Sequence, residues 1–309
     1  MDKKRNISII AHGGAGKTTL SEAMLFNAKA VDKLGKVDDG TSHLDFEPEE
    51  IKRKITVSAA IHHYDWGGCA VNLIDTPGFS NFLTETRDSL RVVGGAVVIL
   101  SAISGVKVQT EKIWEFADEF EVSRVAFVNK MDRDRASFLR AVDDMERVLK
   151  VKGVPMQIPM GEGPDFRGLI DLMEMKAYAC SADGSGAFEA SAIPESFKND
   201  ASAMRENMVA AIVETDDALT EKYLGGQEIT DGELRAALRE GVLTRRFIPV
   251  YLGSALKNMG VNFLMDAVNL TLPSPLDKGM IRGHIKGVNP RTLEETEHEP
   301  DPSAPFAAF

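Results

Sequence analysis

The chain has 309 residues, of which 43% are hydrophobic and 27% charged, a composition typical of globular proteins. Its net charge of -11 argues against a protein that coats nucleic acid non-specifically. Charged N-terminal residues run directly into a strand pattern, without the apolar core of a signal peptide. There is also no apolar run of about 18 residues, and Cys69 and Cys180 lack metal-ligand spacing. We therefore expect a cytoplasmic protein without a membrane-spanning segment.

Strand and helix patterns alternate along the first half of the chain. Helical spacing predicts helices at 17–28, 81–93, 108–120 and 136–148, and apolar runs predict strands at 6–11, 55–66, 69–75, 94–102 and 124–129. Gly67 and Gly68 predict a hairpin. Residues 31–54 are polar without a clear period and are predicted to form a mobile loop. This alternation predicts an α/β fold with a mostly parallel sheet, whose ligands bind at the carboxyl ends of the strands.

The pattern changes after residue 160. A turn-rich stretch precedes helical patterns at 200–223 and 231–243, and a buried-strand pattern resumes at 245–255. We therefore predict a main domain formed by 1–160 and 246–280, with an α+β subdomain inserted at 161–245. The acidic, proline-rich tail then ends on the apolar run APFAAF, which suggests that residues 281–309 start a further, truncated domain.

Residues 11–18, AHGGAGKT, follow a predicted strand and open a predicted helix, which is the context of a phosphate-binding loop. Its glycines let backbone N–H groups turn toward an anion, and the helix N-terminus favours negative charge. Lys17 would reach the β- and γ-phosphates, and the Thr18 hydroxyl would bind Mg²⁺. A glycine-rich turn without a ligand fits this strand–loop–helix context poorly.

Two further motifs end predicted strands. In DTPG, residues 75–78, Asp75 would hold the Mg²⁺ shell and the Gly78 amide would sense a γ-phosphate. In NKMD, residues 129–132, Asp132 could accept two hydrogen bonds from guanine N1 and N2, which adenine cannot donate. Lys130 would lie across the base, and Asn129 would brace the phosphate loop.

A fourth motif, GSAL at residues 253–256, is weak alone but comes last in the expected order, with the Ala255 amide placed for guanine O6. Together the motifs specify a P-loop GTPase domain that binds GTP or GDP with Mg²⁺. Thr56, just after the polar loop, is the predicted switch residue that completes the Mg²⁺ shell, and the alternative is an ordinary strand threonine. The predicted metal ligands are Thr18, Thr56 and Asp75. The predicted nucleotide-binding residues are His12, Gly13, Gly14, Ala15, Gly16, Lys17, Thr18, Thr19, Asp75, Gly78, Asn129, Lys130, Asp132, Ser254, Ala255 and Leu256.

The sequence around these motifs resembles translational GTPases, most closely elongation factor G and its divergent paralogues. AHGGAGKTT resembles the family's AHIDAGKTT, and the segment ending in KRKITVSAA aligns without gaps with a switch region ending in RGITITSAA. RVAFVNKMDR and GSALKNMGVNFLMDAV are similarly close. FRGLIDLMEMKAY and EKYLGG resemble the extra subdomain of elongation factor G, and APFAAF resembles the first strand of the family's second, β-barrel domain.

The resemblance covers essentially the whole chain, and it implies GTP hydrolysis on the ribosome. The implied task is movement of tRNA and mRNA after peptide transfer, or the splitting of ribosomes during recycling. The ribosome would be the partner of the full-length protein, with tRNA and mRNA met indirectly. No membrane partner is implied, and this fragment is expected to be monomeric.

Three positions depart from the family's pattern. Gly14 replaces an aspartate that the family uses near a monovalent cation, and Lys54 replaces the glycine of RGIT. Phe79 replaces the histidine of DTPGHVDF, which positions the attacking water. Because a phenyl ring neither gives nor takes a proton, no catalytic residue can be assigned at this position.

No other residue is an obvious replacement for that histidine. Ser80 and Asn81 would need a changed backbone, and His12 and His43 belong to the phosphate loop and the polar loop. His62 and His63 are predicted to be strand residues. Two functions therefore stay open: a ribosome-dependent GTPase, and a ribosome-associated GTP-binding module with weak or no hydrolysis. An ATP-using enzyme is disfavoured by Asp132.

Overall fold

The computed structural model describes residues 1–181, 183–277, 285–288, 292 and 294–298. The strands are β1 (Lys4–Ile10), β2 (Ala60–Trp66), β3 (Cys69–Asp75), β4 (Gly95–Ser101), β5 (Ser123–Asn129), β6 (Gly153–Pro155), β7 (Gln157–Pro159), β8 (Gly168–Asp171), β9 (Lys176–Cys180), β10 (Phe188–Ser191), β11 (Ile248–Leu252), β12 (Ile285–Val288) and β13 (Glu295–His298). The helices are α1 (Lys17–Asn27), α2 (Pro48–Arg53), α3 (Leu83–Val92), α4 (Val108–Glu119), α5 (Phe138–Leu149), α6 (Glu195–Val213), α7 (Asp217–Leu224), α8 (Asp231–Leu243) and α9 (Val261–Thr271). Within the described residues, no helix is both long and apolar enough to cross a membrane.

A seven-stranded sheet in the order β2-β3-β1-β4-β5-β11-β6 forms the centre of the fold. All its pairings are parallel except that of β2 with β3. Strands β4 and β5 are buried at every position, as expected for strands covered on both faces. Neighbouring residues of β4 belong to two different apolar clusters. Val97 belongs to the cluster that contains residues of α1 and α9, and Val98 belongs to the cluster that contains residues of α3, α4 and α5. The predicted α/β fold with a mostly parallel sheet is confirmed.

Between β6 and β11 the chain leaves this sheet. It forms a separate antiparallel sheet in the order β10-β9-β8-β7, followed by helices α6 to α8. The chain then returns in β11, which pairs with both β5 and β6. This topology agrees with the predicted α/β domain carrying an inserted subdomain.

The predicted start of a further domain, at 281–309, lies mostly outside the described residues. Its described part is a two-stranded antiparallel pair, β12 with β13.

The segment predicted as a mobile loop contains the helix α2, which the sequence prediction missed. Pro48 occupies its first turn, and Glu47 and Glu50 form a reciprocal capping box. Glu50 is fully buried and also accepts hydrogen bonds from the Val57 and Ser58 amides, at 2.8 and 3.0 Å. A six-residue helix is too short to show a hydrophobic period, so only its capping residues could have signalled it.

Other element boundaries also differ from the predictions. Strand β2 begins at Ala60 rather than at residue 55, and a short 3₁₀ turn at Ser80–Phe82 precedes α3. The helix predicted at 200–223 is two helices, because Asp216 caps a new one by accepting a hydrogen bond from the Leu219 amide.

Candidate nucleotide-binding site

A cavity of about 390 Å³ opens at the carboxyl ends of the parallel strands. The predicted residues that line it are Gly14, Gly16, Lys17, Thr18, Thr19, Thr56, Asn129, Lys130, Asp132, Ser254 and Leu256. The remaining predicted residues, His12, Gly13, Ala15, Asp75, Gly78 and Ala255, lie outside this lining. The cavity is also lined by Lys54, one of the departures from the family's pattern, and by residues that the sequence did not indicate, namely Lys36, Val37, Asp38, Asp39 and Arg133.

The phosphate loop is held by the side chains of the last residue of β5 and the residue after it. Asn129 Nδ2 donates to the Ala15 carbonyl at 2.9 Å, and Lys130 Nζ donates to the Gly14 carbonyl at 2.6 Å. Gly16 has a φ of 101°, and a Cβ there would lie 2.5 Å from Asn129 Nδ2. Glycine is therefore required at residue 16 both by its backbone conformation and by this close approach.

Lys17 is almost fully buried, and its ammonium donates to the Ala11 and His12 carbonyls at 3.2 and 3.3 Å. Burial lowers the pKa of Lys17 to about 8, although the carboxylates of Asp75 and Asp45 oppose this shift. A Cβ at Gly78 would lie 2.1 Å from Lys17 Nζ, so DTPG packs directly against this lysine.

Hydroxyl and carboxylate groups converge beside the lysine. Thr18 Oγ1 donates to Asp75 Oδ2 at 2.7 Å, and Ser21 Oγ donates to Asp75 Oδ1 at 3.2 Å. The Thr18 and Thr56 hydroxyl oxygens are 2.9 Å apart, and Thr56 Oγ1 donates to Asp45 Oδ1 at 2.9 Å. The three predicted metal ligands are thus linked through hydrogen-bonding distances, with one additional carboxylate.

This donor set fits Mg²⁺, which prefers oxygen ligands and uses one or two carboxylates. Burial raises the pKa of Asp75 to about 7 and also raises the pKa of Asp45. Asp45 Oδ2 is buried and has no hydrogen-bond partner among the described residues. A divalent cation would stabilise the ionised form of both carboxylates. Sequence reasoning missed Asp45 because it lies in an aperiodic segment.

The predicted base-binding side of the cavity is held by hydrogen bonds between its own motifs. Asn129 Oδ1 accepts hydrogen bonds from the Lys130 amide at 2.8 Å and the Ala255 amide at 2.9 Å. The Ala255 amide, predicted to meet guanine O6, is therefore already used in this structure. The next amide, that of Leu256, makes no hydrogen bond within the described part of the chain. The Asp132 side chain is only 6% exposed, with Lys257 Nζ at 4.0 Å from Oδ2.

Phe79 lies on the phosphate loop and is 41% exposed. A Cβ built on Gly13 would be 2.9 Å from Phe79 Cε1, so the phenyl ring covers Gly13 in direct contact. Ser80 and Asn81 follow in the exposed 3₁₀ turn. The position that carries a histidine in the family's pattern is therefore an apolar contact here.

None of the histidines in the described part of the chain lines the cavity. His12 is buried, with Nδ1 at 3.1 Å from Thr110 Oγ1, and burial lowers its pKa to about 4, so it is neutral at pH 7. His43 Nδ1 lies 2.8 Å from Glu22 Oε2. His62 and His63 are strand residues of β2, as predicted.

Comparisons with known proteins agree with this geometry. Residues 2–274 match the family of the elongation factor Tu GTP-binding domain. The crystal structure of ttk003000868 from Thermus thermophilus superposes with a TM-score of 0.84 at 33% sequence identity, over 91% of this chain and 42% of that chain. The present chain therefore spans less than half the length of that protein. Because the family match covers most of the chain, this protein belongs to the translational GTPases that carry the elongation factor Tu GTP-binding domain.

Proposed function

We propose that this chain binds GTP and GDP with Mg²⁺ and is the GTPase part of a ribosome-associated factor similar to elongation factor G, with slow hydrolysis. The observation that supports binding is the convergence of Lys17, Thr18, Thr56 and Asp132 on one cavity. The observation that supports slow hydrolysis is the contact of Phe79 with Gly13.

For the phosphates, Lys17 would exchange its two carbonyl partners for β- and γ-phosphate oxygens. The backbone amides around Gly14 and Gly16 would donate to the same anion. Thr18, Thr56 and Asp75 would hold Mg²⁺, with Asp45 beside them. The metal would neutralise phosphate charge. Thr56 would then couple γ-phosphate occupancy to the segment that precedes it.

For the base, Asp132 would accept the N1 and N2 hydrogens of guanine. Its low exposure makes an unsatisfied carboxylate costly, which disfavours adenine nucleotides. Because Asn129 holds the Ala255 amide, we assign the guanine O6 contact first to the Leu256 amide, which has no hydrogen-bond partner among the described residues. Ala255 would then brace Asn129, and Ser254 would hold the loop by accepting the Lys257 amide at 3.3 Å.

For hydrolysis, the attacking water lacks a proton acceptor or hydrogen-bonding group at residue 79. Positioned acid–base groups typically contribute about 10²–10⁴ in rate, so hydrolysis should be slower by a factor in that range. This observation also favours the second candidate function, a GTP-binding module in which nucleotide occupancy is itself the signal.

The assembly in which this chain acts is part of the same proposal. We expect a cytoplasmic, monomeric chain that meets the ribosome, with tRNA and mRNA as indirect partners in translocation or recycling. The proposed division is 1–160 with 246–280 for the GTPase domain, 161–245 for the inserted subdomain and 281–309 for the start of a barrel domain. The return of the chain in β11, between β5 and β6, supports this division.

The test is single-turnover hydrolysis of GTP by the full-length protein, with and without ribosomes, for the wild type and the variant Phe79→His. We expect the variant to hydrolyse GTP at least about 100-fold faster with ribosomes, at unchanged GTP affinity. Phe46→His is the matched control, because Phe46 is an exposed phenylalanine of the polar segment and does not line the cavity. Equal rates for wild type and Phe79→His would mean that the water is positioned by another residue. Binding without hydrolysis in both would support the module.

A further inference from the structure

A turn formed by residues 36–41 lies at the cavity and is closed by its own hydrogen bonds. The Thr41 amide donates to the Lys36 carbonyl at 3.0 Å, and the Gly40 amide donates to the Val37 carbonyl at 3.1 Å. Its residues 36–39 line the nucleotide cavity. The turn therefore forms part of the wall that a bound nucleotide would meet.

Among the described residues, a single hydrogen bond links this turn to the rest of the protein. Lys54 Nζ donates to the Asp38 carbonyl at 2.6 Å. Ile51 is also close to the turn, since a Cβ at Gly40 would lie 3.2 Å from Ile51 Cγ2. The segment just after the turn is held differently, because the buried Glu22 carboxylate accepts the amides of His43 and Leu44. Lys54 thus provides the one hydrogen bond that joins the turn to the rest of the described residues.

The backbone on both sides of Lys54 is held by hydrogen bonds. Lys54 is the C-cap residue directly after α2, whose Glu50 accepts hydrogen bonds from the Val57 and Ser58 amides. Its φ of 57° is in the left-handed region, where glycine is favoured and a lysine is strained. Lys54 also lines the cavity together with Thr56, two residues further along.

We propose that Lys54 is a retention residue, whose ammonium holds the turn 36–41 against the cavity and slows the release of bound nucleotide. This inference rests on the proposed function, since it requires guanine nucleotide in the cavity. Opening the turn breaks a charge-assisted hydrogen bond, partly compensated by water because the contact is exposed. We therefore expect loss of the ammonium to speed nucleotide release by about 5- to 10-fold.

The test measures the dissociation rate of fluorescent mant-GDP from the wild type and from Lys54→Ala, Lys54→Gly and Lys54→Arg. We expect the alanine and glycine variants to release it about 5- to 10-fold faster, and the arginine variant to stay within about twofold of wild type because it keeps a cationic donor. Lys52→Ala is the matched control, since Lys52 is exposed on α2 and does not line the cavity.

Two further measurements separate retention from other roles. Lys54→Gly should melt at a temperature equal to or above that of Lys54→Ala, because glycine adopts the left-handed conformation without strain. A faster release caused only by general destabilisation would instead follow the melting temperature. Amide exchange at Gly40 and Thr41 should be faster in Lys54→Ala, with or without nucleotide.

Two results would overturn the proposal: an unchanged mant-GDP release rate in Lys54→Ala, or faster release with unchanged exchange in the turn, which would indicate direct contact with phosphate. A wild-type chain that does not bind mant-GDP would overturn the proposed function, and retention with it. The two failures are therefore distinguishable.

Discussion

The two ends of the cavity are built by different kinds of contact. At the base end, Asn129 connects the phosphate loop to the last motif through hydrogen bonds to Ala15 and Ala255. At the end where water would attack, Phe79 makes an apolar contact with Gly13. Under the proposed function, nucleotide recognition and hydrolysis would therefore depend on separate residues, so each should be alterable without the other.

The largest effect is expected for Lys17→Ala, which removes the cation that would bind the phosphates. Hydrogen bonds to charged groups contribute about 1.5–3 kcal/mol, so affinity for GTP and GDP should fall by about 100-fold or more. Isothermal titration calorimetry measures this, with Lys112→Ala, an exposed lysine of α4, as the control. Micromolar affinity retained by Lys17→Ala would contradict the phosphate-loop assignment.

Asp132→Asn probes the base end alone. Xanthine has a carbonyl where guanine has its 2-amino group, so an amide should favour xanthosine nucleotides and reduce GTP affinity by about 100-fold. Competition between the two nucleotides measures the change, and the exposed Asp134→Asn is the neighbouring control. Unchanged preference for guanine would remove Asp132 from the base contact.

His12, a buried residue of the phosphate loop, is expected to make the stability of the folded chain depend on pH. Its folded pKa of about 4 is below the ordinary value of 6.5, so His12 contributes stability above pH 6.5 that is lost as the pH falls toward 4. In ligand-free protein the difference in unfolding free energy between wild type and His12→Gln should change by up to about 3 kcal/mol across this window.

Urea unfolding at a series of pH values measures this difference. The raised pKa of Asp75 has the opposite effect on stability, but it acts in both proteins and cancels in the difference. A flat curve for His12→Gln would mean that His12 titrates normally in the folded chain.

The smallest effect is expected for Gly13→Ala, which probes the apolar end. The added methyl would press on three Phe79 ring atoms at 2.9–3.0 Å, and because the ring is partly exposed it can shift, at about 1 kcal/mol of stability. In a Phe79→Ala background the same change should be nearly neutral. An equal loss in both backgrounds, measured by a double-mutant cycle, would show that Gly13 is constrained by something other than this ring.

Much of the fold was predictable because the strands of the central sheet are long apolar runs. GAVVILS and SRVAFVN are buried at every residue, so their pattern is unambiguous. The predicted motifs follow β1, β3, β5 and β11, which is why sequence order translated into proximity at one edge. The roles of those residues toward a ligand stay predictions.

The segment 31–54 was the least predictable, because its order depends on buried acids rather than on hydrophobic periodicity. Glu22 and Glu50 each satisfy several backbone amides of this polar segment and its flank. Nothing in a single sequence marks such a glutamate as buried, so Asp45, α2 and the turn 36–41 were all missed. The hydrogen bond from Lys54 to the Asp38 carbonyl lies within this segment and could not be predicted for the same reason.

The position of β11 has a consequence for how the protein folds. Val250 of β11 pairs with Ala126 of β5. The strand that precedes the last motif can therefore join the sheet only when the ends of the long segment between β6 and β11 have been brought together. Closing a longer loop costs little extra free energy, because each doubling of its length adds only about 0.6 kcal/mol. Pairing between strands that are distant in sequence nevertheless slows folding. The Asn129–Ala255 hydrogen bond needs this pairing, so nucleotide binding should be among the last properties to appear as the chain folds.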